Sequence, residues 1–157
     1  MNIEIKKADV ADAEEILALQ KLVFRAESNA YDHCAIPPLA QTLESITSKF
    51  RNKVFLKAVN DGKIIGSIRA FKEGETCYLE KLFIHPSFQG HGIGTKLMQR
   101  IEKYFVGKVK RIQLSTDNNN KHNVQLYQRL GYKAYKTDKV ADNVTFIYME
   151  KYLPIRR

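Results

Sequence analysis

Three closely spaced glycines form the part of this sequence best suited to hold a ligand. Gly90, Gly92 and Gly94 lie between an apolar run at residues 78–84 and the helix predicted at residues 95–105. Glycine lets the backbone approach a ligand without interference from a Cβ atom, and the free N–H groups of a helix's first turn attract anions. A strand, a glycine turn and a helix therefore predict an anion site, and phosphate is the expected guest.

Two common phosphate-binding motifs do not fit this segment. A P-loop requires Gly-x-x-x-x-Gly-Lys-Ser/Thr, whereas here Gly94 is followed by Thr95 and Lys96, with the hydroxyl residue before the lysine. A dinucleotide fingerprint requires Gly-x-Gly-x-x-Gly in an early βαβ unit. These glycines are spaced Gly-x-Gly-x-Gly and lie past the middle of the chain. The residue order excludes a P-loop, and the spacing and position weaken the dinucleotide interpretation.

The chain is strongly basic, with 26 Lys and Arg against 17 Asp and Glu and a formal net charge of +9. A positive net charge favours binding of nucleic acid, an acidic substrate or a polyanionic cofactor. We expect no nucleic-acid partner, because no helix-turn-helix spacing, zinc framework or aromatic RNA-binding signature accompanies the charge. Part of the charge follows the glycine turn, and it is either a solvated helix face or a local attraction for several phosphates. It consists of Lys96, Arg100, Lys103, Lys108, Lys110 and Arg111.

Length and composition favour a single domain over residues 1–157, because 157 residues with 44% hydrophobic content suit one core. No apolar stretch approaches the ~20 residues of a membrane-spanning helix, and the first residues lack the apolar segment of a signal peptide. We therefore expect a cytoplasmic protein with no membrane partner. Cys34 and Cys77 have no companions at metal-ligand spacing, so we expect ordinary thiols. No metal site is predicted, since metal-ligand spacing is absent among His33, His85, His91 and His122.

The hydrophobic pattern predicts the elements that position these residues. Strands are expected at residues 3–5, 54–59, 63–72, 76–85, 111–115, 132–136 and 144–149. Helices are expected at residues 13–24, 41–50, 95–105 and 121–130, of which the first is capped by Asp9 and has its apolar repeat broken by Gln20. Residues 28–38 are predicted to form a loop and residues 151–157 a tail. The class is α/β, with a mixed, mainly antiparallel central sheet of about seven strands flanked by about four helices.

A second motif supplies the family resemblance. It reads Asn120-x-x-Asn123-x-x-Leu126-Tyr127-x-x-x-Gly131-Tyr132. Together with Gln89-x-x-Gly92-x-Gly94 and the order of elements, it resembles the GNAT superfamily of acetyl-coenzyme-A-dependent N-acetyltransferases over nearly the whole chain. Asn123 stands where that family commonly has a small residue, and Tyr132 where phenylalanine is common. The resemblance implies acetyl-CoA as the acetyl donor and an amine as the acceptor.

The resemblance also implies which residues hold acetyl-CoA. Backbone amides of the glycine loop would bind its pyrophosphate, through Gln89, Gly90, His91, Gly92, Ile93, Gly94 and Thr95. The strand that carries Leu82, Phe83 and Ile84 would splay from the strand at residues 111–115 and bind the pantetheine arm in the gap. Asn120 matches a residue that contacts the pantetheine, and Tyr127 matches a phenol near the sulfur.

Acetyl transfer to an amine requires a neutral nucleophile, an oxyanion stabiliser and a proton for the leaving thiolate. Glu80 is the candidate base. By alternation it lies on the same strand face as Tyr78, Leu82 and Ile84, where apolar neighbours would raise its pKa. The alternative is a strand glutamate that pairs with a cation or faces solvent. The backbone N–H of Ile84 is the oxyanion donor by resemblance only.

Tyr127 is the candidate acid, since a phenol of pKa ~10 can donate a proton to a thiolate whose conjugate acid has a pKa of ~8.5. The alternative is an aromatic side chain packed in the core beside Leu126 and Leu130. Together, Glu80 and Tyr127 favour an N-acetyltransferase over an acyl-CoA-binding sensor without turnover.

The acceptor is a small-molecule or peptide amine that the sequence does not identify. Tyr31, Asp32 and His33 lie in the predicted loop at residues 28–38 and are candidates to contact it. The sequence leaves open whether the protein is a monomer or a homodimer.

Overall fold

The computed structural model describes residues 1–28 and 40–154. Its strands are β1 Ile3–Lys7, β2 Val54–Asn60, β3 Lys63–Glu73, β4 Thr76–Ile84, β5 Arg111–Asp117, β6 Lys133–Ala141 and β7 Val144–Tyr152. The helices bounded within the described residues are α1 Ala13–Ser28, α2 Leu43–Lys49, α3 Ile93–Phe105 and α4 Lys121–Arg129. Short 3₁₀ turns precede α1 at Val10–Asp12 and follow β4 at Pro86–Phe88.

The strands form one seven-stranded sheet in the order β1-β2-β3-β4-β5-β7-β6. The pairs β1/β2, β5/β7 and β6/β7 are antiparallel, whereas β4 and β5 are parallel. A parallel pair needs a crossover connection, and α3 supplies it. The predicted α/β class and mixed sheet are thus confirmed.

The backbone divides into two compact units. The N-terminal unit comprises Met1–Arg69 and Lys81–Leu97, and the C-terminal unit comprises Ala70–Glu80 and Met98–Arg157, in both cases as far as residues are described. That these units form a single domain stays a prediction.

The N-terminal unit has a core built on one face of α1. Its buried apolar side chains include Ile16, Leu19, Val23, Ile46, Phe55, Ile64 and Phe83. Gln20, which breaks the apolar repeat of α1, is fully buried in this unit. Its side-chain oxygen accepts a hydrogen bond from Nη2 of Arg69, while Arg69 Nη1 donates to Gln41 Oε1 at 3.3 Å. The guanidinium also lies 4.7 Å from the ring centroid of Phe55. The polar residue that breaks the repeat therefore supplies a hydrogen-bond acceptor to a buried arginine.

The C-terminal unit buries apolar side chains of its strands, of α3 from Met98 onward and of α4. Its buried apolar residues include Cys77, Met98, Ile101, Phe105, Ile112, Leu114, Leu126 and Met149. Cys77 is a free thiol, and burial raises its pKa to about 12. Cys34, the other predicted free thiol, lies outside the described residues.

Several element ends differ from the sequence prediction. α1 continues to Ser28, and α3 begins at Ile93, two residues earlier than predicted. β6 continues to Ala141, and β7 reaches Tyr152. The predicted tail is therefore wrong at its start, because Lys151 and Tyr152 are hydrogen-bonded strand residues paired with β5. Its last residues, 155–157, lie outside the described part.

Two predicted absences concern the described residues alone. Among them, no helix combines the length and apolar character needed to cross a membrane. Within the same ranges, no group of three or more His, Cys, Asp and Glu side chains is arranged to hold a metal ion.

Candidate active site

Hydrogen bonds to β3 and to the end of β4 fix the entrance of the glycine loop. The N–H group of His85 donates to the carbonyl of Ile65 at 2.8 Å, and His85 Nδ1 accepts from the N–H of Ser87 at 3.0 Å. The side chain of Gln89 turns back, so that its Nε2 donates to the carbonyl of Ile84 at 3.0 Å. The loop is thereby tied to the strand through the side chain of Gln89.

Two of the three clustered glycines are required by backbone conformation, whereas Gly94 lies in the first turn of α3. Gly90 has a φ of +82° and Gly92 a φ of +78°, in the left-handed region that disfavours any residue with a Cβ atom. A Cβ atom built at either position would meet nothing within 4 Å. The space beside both glycines is open, and the loop at Gln89, Gly90, His91 and Gly92 is exposed.

The first turn of α3 offers N–H groups that have no acceptor within the helix. The N–H of Lys96 donates to the carbonyl of Gly92 at 3.1 Å, which is the first bond of the helical ladder. The preceding N–H groups, of Ile93, Gly94 and Thr95, therefore point out of the helix end. No acidic residue lies in this turn. Partial positive charge thus accumulates where the open loop meets the start of α3, and an anion there would be stabilised.

The strand before the loop has two different faces. Phe83 is buried, and its ring meets that of Phe24 edge to face with centroids 5.9 Å apart. Leu82 and Ile84, on the other face by alternation, are half-buried. Any part of Phe83 in ligand binding is therefore that of its backbone, as predicted for this strand.

In the C-terminal unit, the parallel pairing of β4 with β5 runs from Thr76 opposite Arg111 to Tyr78 opposite Gln113. The predicted separation of these strands farther along stays a prediction. Glu80 follows on β4 and its side chain is exposed. That Glu80 lies on a strand face with apolar neighbours stays a prediction.

Helix α4 places the two candidate cofactor contacts of the second motif, Asn120 and Tyr127, near its opposite ends. Asn120 is the N-cap, and its Oδ1 accepts from the N–H of Asn123 at 3.1 Å. Tyr127 lies near the C-terminal end and is only 6% exposed. Its ring meets that of Tyr132 edge to face, with centroids 6.1 Å apart. Asn120 thus has a structural task at the helix start, and Tyr127 is held in a packed environment.

The sequence analysis did not identify a polar cluster that Tyr132 forms with Glu102 and Lys151. The Tyr132 hydroxyl donates to Glu102 Oε2 at 2.9 Å, and Lys151 Nζ lies 2.9 Å from Glu102 Oε1. Burial, followed by the charge and hydrogen bond of Glu102, raises the pKa of Tyr132 well above its usual range. The one sequence signal for this group is the tyrosine at motif position 132, since a phenylalanine there would carry no hydroxyl.

The predicted site residues thus fall into both units. The glycine loop and Leu82, Phe83 and Ile84 lie in the N-terminal unit, whereas Glu80, Asn120 and Tyr127 lie in the C-terminal unit. The candidate acceptor contacts Tyr31, Asp32 and His33 lie outside the described residues.

Known proteins share this fold over nearly the full length of the chain. A PaiA N-acetyltransferase from Thermoplasma acidophilum, solved in complex with coenzyme A, has 21% identity and a TM-score of 0.84, covering 97% of this chain and 99% of its own. The ribosomal-protein-S18-alanine N-acetyltransferase from Escherichia coli has 13% identity and a TM-score of 0.81, covering 99% and 97%. The putative acetyltransferase yncA from Salmonella typhimurium, solved with acetyl-CoA, has 16% identity and a TM-score of 0.78, covering 100% and 97%.

At these identities the likeness establishes the fold. The family follows from the sequence itself, because residues 16–132 match the acetyltransferase (GNAT) family. That range includes the glycine loop, Glu80, Asn120 and Tyr127. The chain therefore belongs to the GNAT acetyltransferase family, and it is an acetyltransferase enzyme with acetyl-CoA as its acetyl donor.

Proposed function

We propose that this protein is an N-acetyltransferase that moves an acetyl group from acetyl-CoA to a primary amine by direct attack. The observation that carries the proposal is the start of α3, where three N–H groups follow an open glycine loop with no acidic side chain in the turn. Because anions bind such helix ends, the diphosphate of coenzyme A is a fitting ligand.

The residues of the N-terminal unit suit this donor. The backbone amides of the loop from Gln89 to Thr95 would hold the pyrophosphate, and the open space beside Gly90 and Gly92 would admit it. The backbone of Leu82, Phe83 and Ile84 would bind the pantetheine arm, with the Ile84 N–H as the candidate oxyanion donor. Asn120 would contact the same arm from its N-cap position. When bound, acetyl-CoA supplies the thioester whose acetyl group is transferred.

Glu80 is proposed as the residue that takes the proton from the acceptor amine, directly or through water. An alkyl amine has a pKa near ~10 and is protonated at neutral pH, so a proton must leave before the nitrogen can attack. The exposed carboxylate of Glu80 can pass that proton to solvent. Glu80→Gln is expected to move the rise of the rate to higher pH, and an unchanged pH–rate profile would make Glu80 structural.

Tyr127 is proposed as the general acid. The amine nitrogen forms a bond to the acetyl carbon, the C–S bond breaks, and the Tyr127 hydroxyl gives its proton to the departing sulfur. Tyr127→Phe keeps the ring that packs on Tyr132 and removes the hydroxyl alone. We expect a lower kcat with nearly unchanged affinity for acetyl-CoA. A kcat equal to that of the parent would remove Tyr127 from the chemistry.

The acceptor is proposed to be a small-molecule or peptide amine. The Escherichia coli neighbour is described as an alanine N-acetyltransferase of a ribosomal protein, which illustrates a protein acceptor in this fold. An acyl-CoA sensor without turnover is the alternative from another class. A cytoplasmic location stays a prediction, and so do the absence of a nucleic-acid partner and the choice between monomer and homodimer.

Two measurements test the proposal in sequence. Calorimetric titration with acetyl-CoA is expected to give saturable binding in the micromolar range, and its absence would contradict the whole proposal. A thiol-release screen over polyamines, amino acids, aminoglycosides and peptides then separates an enzyme from a sensor. Release of coenzyme A with one amine class identifies the acceptor, whereas binding without release on any amine favours the sensor.

A further inference from the structure

Helix α4 ends in a Schellman motif that joins Tyr127 to Tyr132. The N–H of Gly131 donates to the carbonyl of Gln128 at 3.0 Å, and the N–H of Tyr132 donates to the carbonyl of Tyr127 at 2.9 Å. Gly131 has the left-handed φ of +97° that this motif needs. A side-chain contact between the same two positions commonly accompanies the motif, and here it is the edge-to-face contact of the two rings.

Tyr132 is itself held by groups from two other elements. Glu102, on α3, accepts the Tyr132 hydroxyl through one carboxylate oxygen and pairs with Lys151 of β7 through the other. Lys151 reaches Glu102 across the helix end, since its Cε lies 3.6 Å from where a Cβ atom of Gly131 would be. Its Nζ also lies 5.8 Å from the Tyr132 ring centroid. Tyr132 is thus held at three points. Its N–H bonds to Tyr127, its hydroxyl bonds to Glu102, and Lys151 lies over one face of its ring.

We propose that Tyr132, held by Glu102 and Lys151, is a positioning residue that sets the orientation of the Tyr127 ring for acetyl transfer. The proposal rests on the proposed function, in which the Tyr127 hydroxyl donates a proton. An aromatic ring that packs edge to face on a rigidly held neighbour has less freedom to reorient, and a donor must be held closely at the reacting atom to act. The two tyrosines have different proposed roles. The Tyr127 hydroxyl donates the proton, whereas the Tyr132 hydroxyl is hydrogen-bonded to Glu102 and holds the ring in place.

This arrangement also explains a half-buried carboxylate away from any proposed ligand contact. The Glu102 side chain is 14% exposed and that of Lys151 is 27% exposed. Removing water from a charge is costly unless partners replace it, and here each carboxylate oxygen has one. Tyr132 therefore cannot turn without leaving a carboxylate oxygen unpaired, which adds to the restraint on its ring.

The kinetic test uses the amine selected in the thiol-release screen. Tyr132→Phe keeps the ring and removes the anchor, and we expect kcat to fall by roughly fivefold, less than the ~100-fold that a misplacement of about 1 Å can cost. The KM for acetyl-CoA should stay within about twofold of the parent value. Glu102→Leu should match this loss, and the double variant should lose no more than either single variant. Glu102→Gln, whose amide oxygen still accepts the hydroxyl, should restore most of kcat.

Tyr104→Phe is the matched control, because Tyr104 lies on the same helix as Glu102 and is 37% exposed. It should leave kcat unchanged. All rates are compared well below each variant's unfolding temperature, so that a loss of folded protein does not mimic a loss of kcat. If Tyr132→Phe and Tyr104→Phe give the same kcat, the positioning role is overturned while the proposed function stands.

A second readout needs no acceptor. In protein carrying ¹³C-labelled tyrosine rings, the Tyr127 signal is assigned by its loss in Tyr127→Phe, and its ring-flip rate is measured by NMR. We expect faster flipping in Tyr132→Phe and in Glu102→Leu than in the parent and in Tyr104→Phe. Equal rates in all four proteins would overturn the inference. If the parent acetylates no amine, the proposed function fails, and Tyr132 is then a packing residue whatever its dynamics.

Discussion

The starts of α1 and α3 lie in the same unit and differ in how their N–H groups are satisfied. Before α1, Asp9 Oδ1 accepts from the N–H of Ala11 at 2.9 Å, and Asp12 Oδ2 accepts in return from the N–H of Asp9 at 3.0 Å. Glu14 and Glu15 add negative charge to the first turn of α1. The start of α3 has a glycine in place of the cap and a lysine in place of the acids.

This difference separates a helix end that is capped from within the protein from one at which we propose that an anion binds. Side-chain caps and acidic residues stabilise the N-terminal end of a helix from within the protein. At α3 the same electrostatic demand is unmet by the described side chains, so an external anion can supply it. Substitutions at the start of α1 should therefore change the free energy of unfolding, whereas substitutions at the start of α3 should change the affinity for acetyl-CoA.

The largest expected effect is that of Gly92→Ala on acetyl-CoA binding. The new Cβ atom strains the φ of +78° and projects into the open space beside the loop. We expect affinity by calorimetry to fall about 100-fold, comparable to losing one or two hydrogen bonds to a charged group. Gly62→Ala is the matched control, with a φ of +77° and equally open surroundings in the β2–β3 turn.

Both glycine variants should lose about 1–2 kcal/mol of unfolding free energy, since the strain is the same. Only Gly92→Ala should lose affinity. An equal affinity in the two variants would mean that the loop at Gly92 does not approach the ligand.

The next effect is that of Asp12→Ala on stability. Asp12 Oδ2 lies 2.9 Å from Lys57 Nζ as well as accepting from Asp9, and both charged side chains are largely buried. Burial alone would raise the pKa of Asp12, but its hydrogen bonds to Lys57 and to the Asp9 backbone hold it below the ordinary 3.8. We expect the variant to lose about 2 kcal/mol of unfolding free energy in urea at pH 7, with unchanged affinity for acetyl-CoA.

The pH dependence of this loss follows from the direction of the shift. A carboxyl group whose pKa is lowered by folding stabilises the protein above its unfolded pKa, and that stabilisation is lost as the pH falls through its folded pKa. The gap between parent and Asp12→Ala should therefore be full above pH ~4 and should narrow in more acidic buffer. A difference in unfolding free energy that does not narrow would assign the loss to packing.

Glu75→Ala is the control for an exposed ion pair. It breaks the pair with Lys110 and should lower the free energy of unfolding by less than about 1 kcal/mol.

The smallest of the three effects is expected from Lys96→Glu, which gives α3 an acidic residue like those of α1. The exposed acid should stabilise the helix by about 0.3–1 kcal/mol through the helix dipole. It should also weaken acetyl-CoA binding about tenfold, because the added charge opposes the phosphates. Lys103→Glu makes the same charge change in the last turn of α3 and should stabilise nothing. A gain in both stability and affinity would contradict the proposed anion site.

The capped end of α1 was accessible to sequence analysis, whereas the details of the loop were not. Asp9 could be identified as a cap because its local spacing to the apolar repeat is visible in the chain. The hydrogen bond from the Gln89 side chain to the Ile84 carbonyl depends on how the turn folds back. That path cannot be predicted from the spacing of residue types. The early start of α3 follows from Gly92, whose positive φ ends the loop and lets the helix begin at Ile93.

The strand ends differ for a related reason. The whole of β6 is exposed at the sheet edge, so its second half carries no apolar alternation and was predicted too short. Glu80 shows a related limit, since alternation predicts the strand face of a residue but does not predict how exposed its side chain is. In contrast, the element order and the sheet class could be predicted because they rest on long periodic segments, such as the buried face of α1.

The hydrogen bond from Gln89 to Ile84 has a consequence for the entropy of binding. Fixing the backbone of one residue costs about 1–2 kcal/mol in conformational entropy, and a loop shaped during folding does not meet that cost again when a ligand arrives. The glycines would make this loop the most mobile part of the site if nothing restrained it. With its entrance tied to β4, the proposed anion site would present its N–H groups in a fixed geometry, and ligands would bind according to their fit to that geometry.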